Sequence, residues 1–363
     1  MKDYLDGILR YAVNLGASDI HLKANKAPIL RVSAQLLPVE AEPPTDMDMV
    51  QIASLIIPEF LRPRFEKEHE VDFSYFSPAI GRFRTNVYKQ RGLVNIAMRH
   101  VKGKVPDFAT LNLPAIIQRL AMSERGIVLV AGATGSGKST TLACMIEYVN
   151  AHDRCHIITL EDPIEYVFED RQCVINQREI GLDTLSFHHA LKNVLRQDPD
   201  IIMVGEMRDA ESFAAAVTAA ETGHLVMSTV HSNNAAQTIT RILDFFPQED
   251  RIAVLRALGN SLRAVICQRM IPGKGGGAVP AVEILLDAPM VRKLLEEGKL
   301  EKIPAAIESG GEDGMQSFNQ SIYKLIKAGL VSEEDGIAKS SNPDQLKMNL
   351  KGIFLDESRR IIG

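Results

Sequence analysis

Tryptophan is absent from the sequence and aromatic residues make up only 6% of it, so the stacking side chains that a single-stranded nucleic-acid face requires are scarce. Cysteine is scarce as well: Cys144, Cys155, Cys173 and Cys267 form no Cys-x-x-Cys pair and no zinc-finger spacing. That argues against a secreted disulfide framework or a structural metal, and for reduced thiols in a core. No stretch approaches the ~18 uninterrupted apolar residues of a membrane-crossing helix. Asp3 and Asp6 interrupt the segment where an export signal needs an apolar run, so the expected compartment is the cytoplasm, with any membrane system reached through partner proteins. Nor is there an excess of positive charge. Lys and Arg number 41 against 46 Asp and Glu, a net charge of −5, which is the wrong sign for a nucleic-acid binder.

What is present is a globular composition, 45% hydrophobic and 24% charged, over 363 residues. At roughly 150 residues per domain, that length predicts about two domains, each large enough to bury its own core. Residues 1–100 read as a small α+β domain. An amphipathic helix carries Leu5, Ile8, Leu9 and Ala12; short segments come next at 19–22 and 28–32, then a second helix through Met49, Ile52 and Ile56. The runs 71–75, 82–88 and 94–98 alternate like an antiparallel meander. A Lys- and Pro-containing linker spans 101–114.

From 115 to 275 the pattern changes to short apolar runs at 127–131, 157–160, 201–204 and 225–230, separated by helical stretches. This is the signature of a parallel sheet in an α/β core. Residues 276–363 read as a helical subdomain, with helices through Val291, Leu294 and Leu295 and through Met315, Phe318, Ile322 and Leu325, and Gly273–Gly277 reads as a flexible connector.

Residues 132–139 read Gly-Ala-Thr-Gly-Ser-Gly-Lys-Ser, matching the P-loop pattern at every fixed position, directly after an expected strand and opening an expected helix. A plain Gly-rich turn would not need that context. Glycines let successive amides turn around a polyphosphate and the helix N-terminus adds partial positive charge. Lys138 reaches the β- and γ-phosphates, and the Ser139 hydroxyl is placed to ligate Mg²⁺. The expected nucleotide cradle is Gly132, Ala133, Thr134, Gly135, Ser136, Gly137, Lys138, Ser139 and Thr140.

Ligands of an open parallel sheet sit beyond the carboxyl ends of its strands. Polar residues gather there: Glu161, Asp162 and Glu165 after the second run, Glu206 and Asp209 after the third, His231 to Asn234 after the fourth. Asp162 and Asp209 also suit helix caps. Glu206 ends the most apolar strand, where a carboxylate can orient or deprotonate the attacking water. His231 suits a sensor of the γ-phosphate, whereas His224, at the start of the same strand, suits a bond to neighbouring structure or an adjacent subunit. Arg82, Arg84, Lys89, Arg91, Arg99, Lys102 and Lys104 form a basic stretch, read either as a solvated strand face or as the source of a cation for phosphoryl transfer.

Taken together, Gly132–Ser139, the acidic box at 158–165, residues 196–209 and the stretch 221–231 resemble the secretion-ATPase superfamily of type II and type IV pilus systems, in particular the pilus-retraction ATPases of PilT type. Ser18–Leu22 and Gly314–Gln316 are similar to further landmarks of that family. The resemblance implies a PAS-like N-terminal domain, a RecA-like P-loop core, a ring-shaped homohexamer with ATP and Mg²⁺ between the domains, and an inner-membrane platform protein at the pilus base as partner. It assigns Glu161 to Mg²⁺ and Glu206 to water, makes His224 and His231 the histidine box, and gives Arg84 and Arg99 as phosphate clamps.

The strand before Glu206 ends in Gly205-Glu206 instead of an aspartate, an irregularity shared by the superfamily. The longer N-terminal region and tetracysteine site of assembly and type II secretion ATPases are missing. Where retraction members often read Leu-Ile-Arg-Glu, this chain reads Leu-Leu-Glu-Glu at 294–297, so a PilU-type accessory paralogue stays open. Twitching motility through pilus retraction is the leading expectation; a RecA-like nucleic-acid translocase and an ATP-binding scaffold are the competing classes.

Overall fold

The computed structural model describes residues 1–32, 35–101 and 105–354. Lys102 and Lys104 of the basic stretch lie outside the described residues, as does the end of the expected C-terminal subdomain. The chain divides into two compact units: Met1–Lys104 with Asp162–Val167 and Gly181–Asp183, and Val105–Glu161 with Phe168–Ile180 and Thr184–Gly363.

The first unit is an antiparallel sheet with helices on one face. In chain order it has α1 (Lys2–Asn14), β1 (Asp19–Lys23), β2 (Ile29–Val32), β3 (Gln35–Pro38), α2 (Asp46–Ile56), α3 (Arg62–Glu68), β4 (Glu70–Ser77), β5 (Gly81–Gln90) and β6 (Leu93–His100). The strand order is β3-β2-β1-β6-β5-β4. Period-two alternation decides the faces. Ile20, Leu22, Phe73, Phe83, Val87, Ile96 and Met98 point into a core completed by Leu5, Ile8 and Leu9 of α1 and Met49, Ile52 and Ile56 of α2. α2 starts where Thr45 and Asp48 close a capping box, which satisfies amides that the first turn leaves open. The expected meander is β4-β5-β6. β3 has no counterpart in the sequence reading: Gln-Leu-Leu-Pro is short, shows no period-two alternation and ends in a proline, and all four residues are exposed at the sheet edge.

The second unit contains α4 (Ile116–Ala121), β7 (Gly126–Ala131), α5 (Lys138–His152), β8 (His156–Glu161), β9 (Val174–Glu179), α6 (Phe187–Val194), β10 (Ile201–Val204), α7 (Ala210–Glu221), β11 (Leu225–Val230), α8 (Ala235–Leu243), α9 (Arg251–Ser261), β12 (Leu262–Pro272) and β13 (Ala278–Leu286). Beyond them come helices α10 (Pro289–Glu296), α11 (Ile303–Ser309), α12 (Phe318–Lys327), α13 (Glu333–Lys339) and α14 (Pro343–Leu350). The sheet order is β13-β12-β7-β11-β10-β8-β9, parallel throughout except for the β12–β13 pair.

Both faces of this sheet are covered, which is why its strands are continuous apolar runs. Ile127 and Leu129 of β7 pack into one layer with α7, α8 and α9, while Val128 and Val130 pack into the other with α4 and α5. Burial pushes the Cys144 thiol of α5 up to about 12, as suits a core thiol. Asp209 caps α7 by accepting from Ser212 N at 2.8 Å, the structural reading of that carboxylate.

The sheet continues past residue 275, where the sequence suggested a purely helical subdomain. Gly276 and Gly277 adopt φ of 86° and 72° in a hairpin turn, not a linker, and Ala278–Leu286 returns along β12 as the edge strand. The later helices match the sequence reading, with α12 beginning at a Ser317–Gln320 capping box, after Met315.

Candidate nucleotide site

The site of the second unit is assembled at the carboxyl ends of β7, β11, β10 and β8. β7 delivers the chain into Gly132, whose φ of +155° a side chain rarely adopts, and a Cβ there would sit 2.7 Å from the carbonyl oxygen of Gln268 and clash with the Ser136 hydroxyl. Gly137, at φ +87°, turns the chain into the first turn of α5. Lys138, Ser139 and Thr140 are the opening residues of that helix. The Ser136 Oγ is buried with no hydrogen-bond partner among the described residues, a donor aimed into the loop it lies in. A tight loop, a helix N-terminus and an orphaned hydroxyl fit a polyphosphate.

Lys138 is 8% exposed, yet its ammonium is well surrounded. Nζ donates to Gly132 O at 2.9 Å and Ala133 O at 3.1 Å, and it stands 3.5 Å from His231 Nδ1. The imidazole's other nitrogen, Nε2, lies 3.3 Å from Glu206 Oε1. A lysine ammonium can only donate, so Nδ1 can join this contact only as an acceptor, which leaves Nε2 as the ring nitrogen that can donate to the carboxylate. Glu206 Oε2 is held by Arg208, at 2.9 Å from Nε and 2.8 Å from the terminal nitrogen.

The strand order explains this chain of contacts. β11 lies between β7 and β10, with Val230 beside Ala131 and Ser228 beside Val204. The first residue past β11 therefore bridges the loop leaving β7 and the loop leaving β10, about 10 Å apart at the usual strand spacing. That residue is His231.

β8 pairs β10 on the far side, so Glu161, the last residue of β8, and Glu206, two residues past β10, leave neighbouring strands at the same edge of the sheet. Glu161 is buried and its Oε1 accepts from Thr159 Oγ1 at 2.6 Å and Gln177 Nε2 at 3.1 Å. Among the described residues no group of three or more His, Cys, Asp or Glu is placed to hold a metal ion. Mg²⁺ requires no such group, since it is commonly held by one or two protein oxygens plus substrate phosphates.

Of the other expected residues, one lies at the far end of a strand of the second unit and two belong to the first unit. His224 stands at the opposite end of β11 from His231, where its Nδ1 lies 2.9 Å from Ala219 O and closes the last turn of α7. Arg84 and Arg99 belong to the first unit. They are directly opposite each other on β5 and β6, on the face away from that unit's core, and Arg99 Nε is 2.8 Å from Asp19 Oδ1. Burial pushes the Asp19 carboxyl up, but the Ser18 hydroxyl and the Arg99 guanidinium outweigh it and hold the group below the usual carboxylate range.

A profile of the type II/IV secretion system protein family matches residues 104–279. The type IV pilus retraction ATPase PilT of Pseudomonas aeruginosa is 42% identical over 337 residues, covering 93% of this chain and 98% of its own. The chain belongs to the type II/IV secretion system family. It is an ATPase of that family, with the RecA-like α/β core and the N- and C-terminal parts of its relatives. The type IV pilus ATPase PilU of the same organism is 39% identical over 95% of this chain and 90% of that one. Among solved structures, that of the pilus retraction motor PilT with bound ADP superposes with a TM-score of 0.87 at 43% identity, covering 94% of this chain and 98% of that chain. The ATPase DotB of Legionella pneumophila gives 0.80 at 29%, covering 96% and 95%.

Within this secretion-family ATPase, sequence reasoning missed the residues that hold the acids. Arg208, Thr159 and Gln177 are ordinary polar residues in the sequence. Only Arg208 left a signal, as the sole base between Glu206 and Asp209.

Proposed function

We propose that this ATPase is a motor at the base of a type IV pilus and that its hydrolysis drives pilus retraction. The observation that carries the catalytic half is the run from Lys138 through His231 to Glu206, which joins a phosphate-binding lysine to a carboxylate through one imidazole. In this reading the 132–140 loop holds the triphosphate and Lys138 turns to its β- and γ-phosphates. Glu206 accepts a proton from the attacking water, and His231 reports on the γ-phosphate to both. Ser139 and Glu161 would hold Mg²⁺, which when bound neutralises charge on the phosphates. Arg84 and Arg99 supply further cations to the phosphates, and His224 serves an adjacent subunit of a homohexamer. The partner is an inner-membrane platform protein, which puts the motor in the cytoplasm at the membrane surface. The PilT and PilU relatives, each similar over nine-tenths or more of this chain, support the pilus assignment.

Phosphate release by the purified protein tests the chemistry, and a deletion strain scored for surface pili tests the role. Excess, immobile pili support the retraction motor. Bald cells would indicate an assembly motor, and normal pili retracting with reduced force would indicate a PilU-type accessory. ATP turnover stimulated by DNA and suppressed steeply by salt would instead indicate a translocase.

A further inference from the structure

The loop that carries His231 is tied down from β12 and β13, outside the nucleotide cradle. Arg269, on β12, donates from one terminal nitrogen to Asn233 O at 3.3 Å, two residues past His231. Its other terminal nitrogen reaches Ser341 Oγ at 2.9 Å and Lys339 O at 3.2 Å, between α13 and α14. The guanidinium lies 3.8 Å over the ring of Phe318, the first residue of α12. Glu283 of β13 accepts from Ala235 N at 2.8 Å, at the start of α8. On the opposite face of β12 the neighbouring Gln268 donates to Thr141 of α5 at 2.8 Å.

One planar cation thus joins two segments far apart in sequence: the turn after His231 and the C-terminal helices. A half-buried guanidinium is a poor choice for stability alone, since an apolar side chain of similar size avoids the desolvation cost. A rigid fork with several donors on one plane suits the fixing of one backbone segment against another.

We infer that Arg269 is a positioning residue for ATP hydrolysis, holding the His231 loop at the distance that lets the imidazole bridge Lys138 and Glu206 and coupling that loop to the C-terminal helices. This rests on the reading of Lys138, His231 and Glu206 as the hydrolytic chain. The contacts that Arg269 makes here are to protein groups, so its proposed effect runs through the loop it holds. Its removal leaves the phosphate cradle intact and lets the imidazole drift.

The test is a double-mutant cycle on the full chain, measuring phosphate release, affinity for a fluorescent ATP analogue and thermal midpoint for Arg269→Ala, His231→Ala and the pair. Arg269→Ala is expected to lower kcat roughly ten- to a hundredfold, as a misplacement near 1 Å does, while analogue affinity changes less than about twofold. In the His231→Ala background the same substitution is expected to cost less than about twofold more, because there is no imidazole left to place. Arg269→Lys keeps the charge without the fork and is expected to show the same loss; it serves as the second cycle if Arg269→Ala does not fold. Losses that multiply in the pair, a native rate in Arg269→Lys, or a native rate in His231→Ala would each overturn the inference. A wild-type protein that binds the analogue and releases no phosphate would instead sink the hydrolytic reading itself.

Discussion

Glu206 has one oxygen on His231 and the other on Arg208, so its two oxygens are held by different partners. Glu206→Gln keeps the shape and removes the proton acceptor. Phosphate release is expected to fall by about a hundredfold or more, with nucleotide affinity unchanged or tighter; turnover at the native rate would take Glu206 out of the role. Gly132 gives a steric counterpart. Gly132→Ala forces a Cβ against Gln268 O and the Ser136 hydroxyl at a φ that alanine resists. It is expected to destabilise the second unit by about 1–3 kcal/mol and to abolish binding, read by calorimetry with ATP. The glycine, the lysine and the two strand-end residues were legible in the sequence, since each is fixed by local pattern or by its place after an apolar run. Thr159, Gln177 and Arg269 were not, because a side chain that holds another residue is recognisable only once the strands are side by side.

At the level of elements, the sheet order decided more than any motif. Nothing local in the sequence says that β11 lies between β7 and β10, and without that order His231 is one polar residue among several. The same limit hid β13. Its apolar run comes after three glycines, which read as a connector until the pairing with β12 made them a turn. β13 also carries a half-buried carboxylate, Glu283, whose pKa burial raises above its ordinary value against the opposing pull of Ala235 N and Arg269. A raised carboxyl stabilises the fold fully below the unfolded value near about 4.3, and that stabilisation is lost as pH rises through the folded value. Glu283→Gln keeps an acceptor for Ala235 N and has no charge to bury. The thermal midpoint of the second unit is therefore expected to depend less on pH, as pH rises from the unfolded carboxyl value through the folded one, in the variant than in the wild type. Equal slopes would mean that Glu283 is already relieved by Arg269 in the fold.

For the whole molecule, the two units have separate cores, one built on α1, α2 and strands β1, β2, β4, β5 and β6, the other on both faces of the seven-stranded sheet. Chains with separate cores commonly unfold in more than one step, so two calorimetric transitions are expected. The cradle, His231, Glu206 and Glu161 all belong to the second unit. ATP with Mg²⁺ at about a hundred times its dissociation constant adds about 2.7 kcal/mol to whatever binds it, roughly 5–10 °C for a unit of this size. The second transition is expected to rise by that amount, and Lys138→Ala to remove the rise. The role proposed for Arg84 and Arg99 makes a separate demand: nucleotide must raise the first transition too, and the Arg84→Ala, Arg99→Ala pair must abolish that part while leaving the second transition responsive. Because Arg99 also neutralises Asp19, whose lowered pKa stabilises the first unit above the unfolded carboxyl value and ceases to do so as pH falls through the folded one, the comparison belongs at neutral pH with each variant's nucleotide-free midpoint as its own reference. A first transition indifferent to ATP in the wild type would leave these arginines as a solvated strand face and confine the nucleotide chemistry to the second unit.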